Sequence, residues 1–502
     1  MNWPVNWLGG IGPAISRAMT LLAPDDALLA RLAERLGPRG FTTDPADMEP
    51  WLTDWRGRVH GKAAALLSPA STAQVVDIVR MAADARVAIV PQGGNSSMVA
   101  GATPSASGTA LLLSLRRMRA IRSISEQDGV AVAEAGVVLS DLHDAAAAIG
   151  RRFPLSLGAK GTATIGGLVS TNAGGVQVLR FGTMRSLLLG IEAVLPDGAL
   201  FDGISALRKD NRGYDLRQLF AGAEGTLGIV TAASLRLYPA AAQRAVAWIG
   251  LATPHDALAL LRRLERATGD AIESFEIVPD DGLALVLRHI PGVRAPLGQP
   301  HAWHVLVEAT APEGGLDPRD ALERVLGDAI ESGLIEDATI AAGEGQAEAL
   351  WKLRESMSEA ERIDGIAAKH DVSVPVSLMP DFLRSARDEV EEAFPGARVL
   401  AFGHLGDGNV HFNVRPPLAA ENAAWLAEHG AAVSMLVHDL ATASGGSISA
   451  EHGIGQTKLA EFARTADPAR LAALRAIKAA LDPLGIMNPG KLVPLAPDAQ
   501  GQ

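Results

Sequence analysis

Cysteine is missing from all 502 residues. Its absence excludes a disulfide framework, a thiolate zinc site, a cysteine-ligated iron–sulfur cluster and a cysteine nucleophile. It also excludes a flavin or haem attached through sulfur. Positive charge is in short supply, with 45 basic residues against 57 acidic ones and a net charge of −12. Nucleic-acid binding demands a basic face, so no nucleic-acid partner is expected. An anionic substrate has to be held by a few local cations, not by the field of the whole chain. Long apolar runs are lacking too. Residues 3–23 come nearest, but Asn6, Pro13 and Arg17 interrupt them and no basic n-region accompanies them. They read as an N-terminal extension or a peripheral segment. No transmembrane segment is expected, and a soluble cytoplasmic protein is the default.

Two nucleotide fingerprints are also absent. No GxGxxG opens a helix after a strand, and no GxxxxGK[ST] occurs. Gly10-Ile11-Gly12 lacks a third glycine and follows no strand. These gaps argue against a Rossmann NAD enzyme and a P-loop ATPase. Internal repeats and low-complexity linkers do not occur.

What is present is globular: 48% apolar residues and an excess of glycine, 52 in all. The length suggests about three structural units, each able to build a core without staples. Periodicity predicts helices over 26–37 and 71–85, then a strand VAIVP that stops at PQGGNSS. Strands LLLSL (111–115), VAVAEAG (130–136) and IEAVLPDG (191–198) follow, with a helix from Ser140 to Ala148. Beyond about 245 the helices lengthen: 318–335, 345–364, 379–393 and 419–443. Strands are expected at 302–310, 371–377 and as a pair around 400–414. That order predicts an antiparallel sheet with helices on one face, a second domain of α+β type. The tail 459–492 reads as helical.

Two glycine clusters carry chemistry. One is Pro91-Gln92-Gly93-Gly94-Asn95-Ser96-Ser97, directly after a strand. The other runs from Gly158 through Gly161, Thr162, Ile165 and Gly166 to Thr171, Asn172 and Gly174. Glycine lets successive backbone N–H groups converge on an oxyanion. Two such loops suit a pyrophosphate approached from two sides, although either alone is equally consistent with a plain turn. A third glycine-dense segment holds Glu224, Gly228 and Ile229, and suits close approach to a large planar ligand.

The stretch His404-Leu405-Gly406-Asp407-Gly408-Asn409-Val410-His411 predicts a hairpin that brings two imidazoles together. Glu451-His452 offers a carboxylate beside a third histidine. Two histidines and a glutamate would bind zinc or a similar divalent ion and leave a position open. Neighbours on an extended segment point opposite ways, so His452 is then free to act as a base. The plainer alternative is a set of buried structural histidines. Arg354 and Ser358 are four apart on a predicted helix, and Lys369 opens a strand. Together they suit carboxylates; a solvated helix face, with Arg354 pairing a local glutamate, stays open.

From about Trp51 to Leu492, PQGGNSS, GAKGTATIGG, TNAGG, LRKDNRGYDL, GAEGTLGI, HLGDGNVHFN, EHGIG and MNPGK occur in order. This series resembles the FAD-dependent D-2-hydroxyacid dehydrogenases of the vanillyl-alcohol oxidase / p-cresol methylhydroxylase superfamily, and is most similar to members acting on D-2-hydroxyglutarate. The resemblance implies an α+β protein: an FAD-binding domain of two α/β subdomains, and a cap domain with an antiparallel sheet flanked by helices. The expected divisions are 1–50 (extension and first helix), 51–243 (FAD domain), 244–458 (substrate and metal cap) and 459–502 (a segment returning to the FAD domain). It implies that Pro91–Ser97 and Gly158–Gly167 hold the pyrophosphate, that Glu224, Gly228 and Ile229 lie along the cofactor, and that Asn488 approaches from the tail. His404, His411 and Glu451 would bind zinc. His452 would be the base, with Arg354, Ser358, Lys369 and Asn413 on the substrate. With Asn95-Ser96-Ser97 in the loop and no cysteine, FAD is expected to be non-covalent.

The implied reaction is hydride transfer from C2 of a D-2-hydroxyacid to flavin N5, D-2-hydroxyglutarate giving 2-oxoglutarate. D-lactate, D-malate, D-mandelate and glycolate are rival substrates. The expected electron acceptor is an electron-transfer flavoprotein or a quinone, and a homodimer is expected. A non-catalytic FAD-binding subunit and a metallohydrolase are alternatives of another class. Two positions depart from the pattern. Ser358 stands where threonine is usual among the hydroxyglutarate enzymes, and His370 stands where tyrosine is common.

Overall fold

A computed structural model describes residues 20–494; the segment 3–23 singled out above lies almost wholly outside them. Three sheets organise the chain. The first has four strands in the order Phe41–Thr42, Ala65–Leu67, Leu111–Ser114, Ile89–Gln92, the last three mutually parallel. Parallel strands are buried on both faces, which is why they read as unbroken apolar runs. Helices Asp26–Leu36 and Thr72–Ala85 cover this sheet with Leu28, Leu32, Val75, Ile78 and Val79. Asp25 and Ser71 cap their N-termini by accepting from Leu28 N and Gln74 N.

The second sheet is antiparallel, five strands in the order Ile121–Ser125, Val130–Glu134, Ile229–Arg236, Leu188–Val194, Leu200–Asp202. Helix Ile165–Thr171 packs on it through Ile165, Leu168 and Val169. These two sheets with their helices form the two subdomains of the first half.

The third sheet has seven strands, all antiparallel, ordered Asp337–Ile340, Gln243–Leu251, Trp303–Ala311, Ile272–Pro279, Arg398–His404, Asn409–Arg415, Ala368–Ser373. Helices lie on both faces, not on one as the element order suggested. Helices Pro254–Thr268, Pro318–Glu331, Met379–Ala393 and Asn422–Ala443 cover the face that carries Val305, Val307, Val410 and Phe412. Helices Asp280–His289, Glu344–Glu355 and Met357–Asp364 cover the face that carries Trp248, Leu306, Leu400 and Phe402. Central strands apolar on both faces show no alternation, so nothing in the pattern reveals the second layer. Gln243–Leu251 and Ile272–Pro279 escape the periodicity for the same reason. The helix expected over 345–364 is two helices that meet at Ser356, and the strand expected over 371–377 starts earlier and ends at Ser373, before Pro375.

Contacts that join the halves include these. Glu273, fully buried on the third sheet, accepts from Arg152 Nη1 (3.0 Å), Arg180 Nη1 (2.9 Å) and Gln177 Nε2 (2.9 Å) of the first half. The tail returns to the first sheet: Ile486 and Met487 are fully buried in its core, and Asn488 N donates to Ile89 O at 2.8 Å. Among the described residues, no helix is long and apolar enough to cross a membrane.

Candidate active site

A cleft of about 630 Å³ is lined by both glycine loops and by Glu451 and His452. That volume is typical of a site that buries a large ligand. The strand Ile89–Gln92 delivers the first loop. Gln92 Nε2 ties it down by donating to Trp51 O and Ala102 O, both at 3.0 Å. Asn95 adopts a left-handed φ of 53° and donates from Nδ2 to Thr53 O at 2.9 Å. The two loops pack backbone to backbone. A Cβ on Gly94 would strike the Thr162 carbonyl, and one on Gly93 the Thr164 hydroxyl. At Gly158 and Gly161 a Cβ would meet only open space, so these two leave room beside the cleft wall.

Thr164 and Gln92 line the cleft, and each has a buried side-chain oxygen, Oγ1 and Oε1, with no hydrogen-bond partner in the protein. Such atoms call for a ligand or solvent. A glycine-walled slot with unpaired neutral donors and acceptors fits a dinucleotide such as FAD. All but three of the residues expected to hold the cofactor line this cleft. The exceptions stand behind it. Ile165 is fully buried in the core. Asn172 caps a helix, its Oδ1 accepting from Thr183 Oγ1 and Arg185 N. Asn488 Nδ2 donates to Glu224 O (2.7 Å) and Gly101 O (3.0 Å), so the tail braces the wall without reaching the cavity.

Glu224 lines the cleft yet serves a neighbouring loop. Its φ is 50°, and its carboxylate accepts from Ile454 N and Gly455 N, both at 2.8 Å. Burial pushes this carboxyl up to about 7, against those two bonds and the charges of Lys491 and Lys458. It thus joins the flavin wall to the segment that carries Glu451 and His452.

The third sheet supplies the rest on one face. Register sets His411 opposite both Phe402 and Asp371, Asn413 opposite Lys369, and Glu276 opposite His404. His404 and His411 lie with ring centroids 5.4 Å apart. Their nitrogens and a Glu451 oxygen fall within 4.8 Å of one another. His404 Nδ1 is 2.7 Å from Glu276 Oε1, leaving Nε2 on the side of Glu451, 4.0 Å away. A carboxylate behind a histidine is the usual support of a metal ligand. Burial lowers the His404 pKa, but Glu276 and then Glu451 outweigh it and hold the ring up at about 9. Burial, then the charges of His404 and Arg354, press His411 well below its ordinary value, so it is neutral. A cation bound here takes the place of the His404 proton. The donor set of two imidazoles and a carboxylate fits zinc or a similar divalent ion.

Asp371, Glu451 and His452 also converge within that distance. Asp371 is otherwise committed. Its Oδ2 accepts from the main-chain N–H of Glu451 and of His452, both at 3.0 Å, and lies 3.3 Å from His452 Nδ1. Its Oδ1 accepts from Asn409 Nδ2 at 2.8 Å. It therefore shapes the loop and orients His452. Burial lowers the His452 pKa and Asp371 opposes it only in part, so the imidazole is neutral near pH 7.

The expected substrate residues are split. Arg354 is buried with Nη2 2.8 Å from Glu276 Oε2 and its guanidinium 5.0 Å from the Phe402 ring centroid. Its partner is a glutamate, as the plainer alternative held, but a distant one. Lys369 Nζ and Asn413 Nδ2 converge on Glu361 Oε2 at 2.6 and 3.0 Å. Ser358 is exposed at the start of the next helix and is not drawn into this network. His370 faces away from the site, its ring bonded to Phe412 O and Ser434 Oγ.

Glu276, Glu361 and Asp371 were not expected in the site. Glu276 had a signal, a lone carboxylate inside the apolar run FEIVP, since a charge in a buried strand requires a partner. Glu361 had none, because a helical glutamate ordinarily faces water.

Comparison with known proteins agrees with this geometry. Residues 63–203 match the FAD binding domain family, and 240–492 match the C-terminal domain of FAD linked oxidases. The chain is 38% identical over 476 residues to the mitochondrial D-2-hydroxyglutarate dehydrogenase of Bos taurus, covering 95% of this chain and 84% of that one. It is 36% identical to D-2-hydroxyglutarate dehydrogenase of Xanthomonas citri pv. viticola, covering 93% and 97%. It is 32% identical to a putative mitochondrial D-lactate dehydrogenase of Schizosaccharomyces pombe, covering 90% and 86%. The fold is shared with p-cresol methylhydroxylase at a TM-score of 0.69 and 15% identity, covering 93% and 96%. The two-domain flavoprotein fold and its cleft define an FAD-dependent oxidoreductase. The chain belongs to the FAD-dependent D-2-hydroxyacid dehydrogenases of the vanillyl-alcohol oxidase / p-cresol methylhydroxylase superfamily.

Proposed function

We propose that this enzyme oxidises D-2-hydroxyglutarate to 2-oxoglutarate, with His452 as the base and a zinc-type ion on His404, His411 and Glu451. The carrying observation is that Glu451 and His452 line the same cleft as the glycine loops. The residues assigned to the metal and to the base would therefore share that cleft with the cofactor. FAD, held without a covalent link, supplies the two-electron acceptor. A divalent ion held by His404, His411 and Glu451 would supply Lewis acidity toward the 2-hydroxyl. His452 Nδ1 lies 3.3 Å from Asp371 Oδ2; with its proton there, the ring would offer Nε2 to the hydroxyl proton. Arg354 sits beside the metal ligands and Lys369 beside Asn413, so a dicarboxylate can be held at both ends.

The substrate rests on the relatives' names and on Lys369. A second reading, a smaller or uncharged 2-hydroxyacid such as D-lactate, is favoured by the contact of Lys369 with Glu361. Anaerobic bleaching of the flavin by D-2-hydroxyglutarate, D-malate, D-lactate and D-mandelate, with and without chelator, tests both. Selective, chelator-sensitive bleaching by D-2-hydroxyglutarate is expected. Bleaching by D-lactate alone would replace the substrate assignment, and indifference to chelator would remove the metal from the reaction. Lys369→Ala should harm the dicarboxylate more than D-lactate; an equal loss on both would end the role given to Lys369.

A further inference from the structure

The pair of donors expected to receive a substrate's distal carboxylate already holds one. Lys369 and Asn413 face each other across neighbouring strands. Lys369 Nζ and Asn413 Nδ2 both end on Glu361 Oε2, at 2.6 and 3.0 Å. Glu361 comes from the helix Met357–Asp364, is fully buried, and its Oε1 has no hydrogen-bond partner. Lys369 keeps 25% of its side chain exposed. Lys369 thus pairs with a fixed internal carboxylate while part of its side chain stays accessible.

We infer that Glu361 determines specificity by weakening the preference for a second carboxylate on the substrate; the inference rests on the proposed 2-hydroxyacid activity. A cation already matched by a buried anion attracts a second anion far less than a bare one. The unpaired Oε1 adds like-charge repulsion against an incoming carboxylate. Built-in repulsion of this kind sets selectivity as effectively as attraction does. Lys369 alone would mark a strict dicarboxylate enzyme. Lys369 with Glu361 marks one whose preference for a dicarboxylate is smaller than the bare cation would give.

The test compares D-2-hydroxyglutarate with D-2-hydroxyvalerate, of equal chain length but with a methyl end. In Glu361→Gln the ratio of kcat/KM values should move about tenfold toward the dicarboxylate, through KM, with kcat little changed. An unchanged ratio, or one that moves toward the valerate, overturns the inference and leaves Glu361 as a mere prop for Lys369. The double variant Glu361→Gln/Lys369→Met removes the ion pair whole and serves if the single variant does not fold. Its ratio should stay within about threefold of wild type, because the pair it removes is nearly neutral. A tenfold collapse of dicarboxylate preference would show that Lys369 acts as a full cation despite Glu361. Failure of the wild type to be bleached by any 2-hydroxyacid would overturn the underlying activity instead, and is read separately from the ratio.

Discussion

The flavin cleft and the face of the cap sheet meet at one loop but are built on opposite plans. The cleft is walled by glycines, main-chain amides and neutral side chains such as Gln92 and Thr164. The cap face is made of buried charges held by partners: Glu276 by Arg354 and His404, Glu361 by Lys369, and Asp371 by main-chain N–H groups and Asn409. A large, already charged cofactor needs close backbone approach. A small anion that must be activated needs fixed charges, and those persist in a dry interior only when paired.

Four experiments separate the two plans, and the largest effect belongs to the cap. His452→Ala should cut turnover by at least about a thousandfold, while the protein stays yellow with normal FAD content. A variant with near-normal rate would remove His452 from the base position. Gly94→Ala is the converse, since its Cβ would strike the Thr162 carbonyl. The purified variant should lose most of its FAD yet keep the divalent ion, as measured by absorbance and metal analysis; loss of both together would mean that the two regions do not act separately.

A smaller effect is expected from the support of the proposed metal ligands. Glu276→Gln should weaken metal binding by about 10–100-fold in a chelator competition. An unchanged affinity would show that Glu276 only balances Arg354. The mildest effect lies off the site. Burial holds His370 down at about 3 from its ordinary 6.5. A depressed value gives stability that is complete above 6.5 and is lost as pH falls from there toward 3. The urea midpoint should fall between pH 7.5 and 5, and His370→Gln should fall less over the same interval. Equal slopes would place the acid sensitivity elsewhere.

The cleft was legible because its residues are contiguous. PQGGNSS and GAKGTATIGG are local signals, and all of their expected contacts except that of Ile165 line the cavity. The hairpin His404–His411 was legible for the same reason, since an Asp-Gly turn between apolar flanks fixes its own register. Arg354 was legible as a site cation, but its contact with Glu276 was not, because Glu276 is remote in sequence. Asn172 and Asn488 do not line the cavity and hold neighbouring loops through their side chains, contacts that no spacing carries.

Sequence alone determined the residue types and their local geometry: the absence of sulfur chemistry, the glycine loops, the histidine hairpin and the Glu451-His452 pair. These depend on neighbours along the chain. Tertiary structure decided which charges are neutralised. Glu361 reaches Lys369 from another element, Asp371 lies beside His452 across 81 positions, and Glu224 grips Ile454 across 230. Electrostatic balance depends on distance in space and on exclusion of water, and neither is written into sequence order.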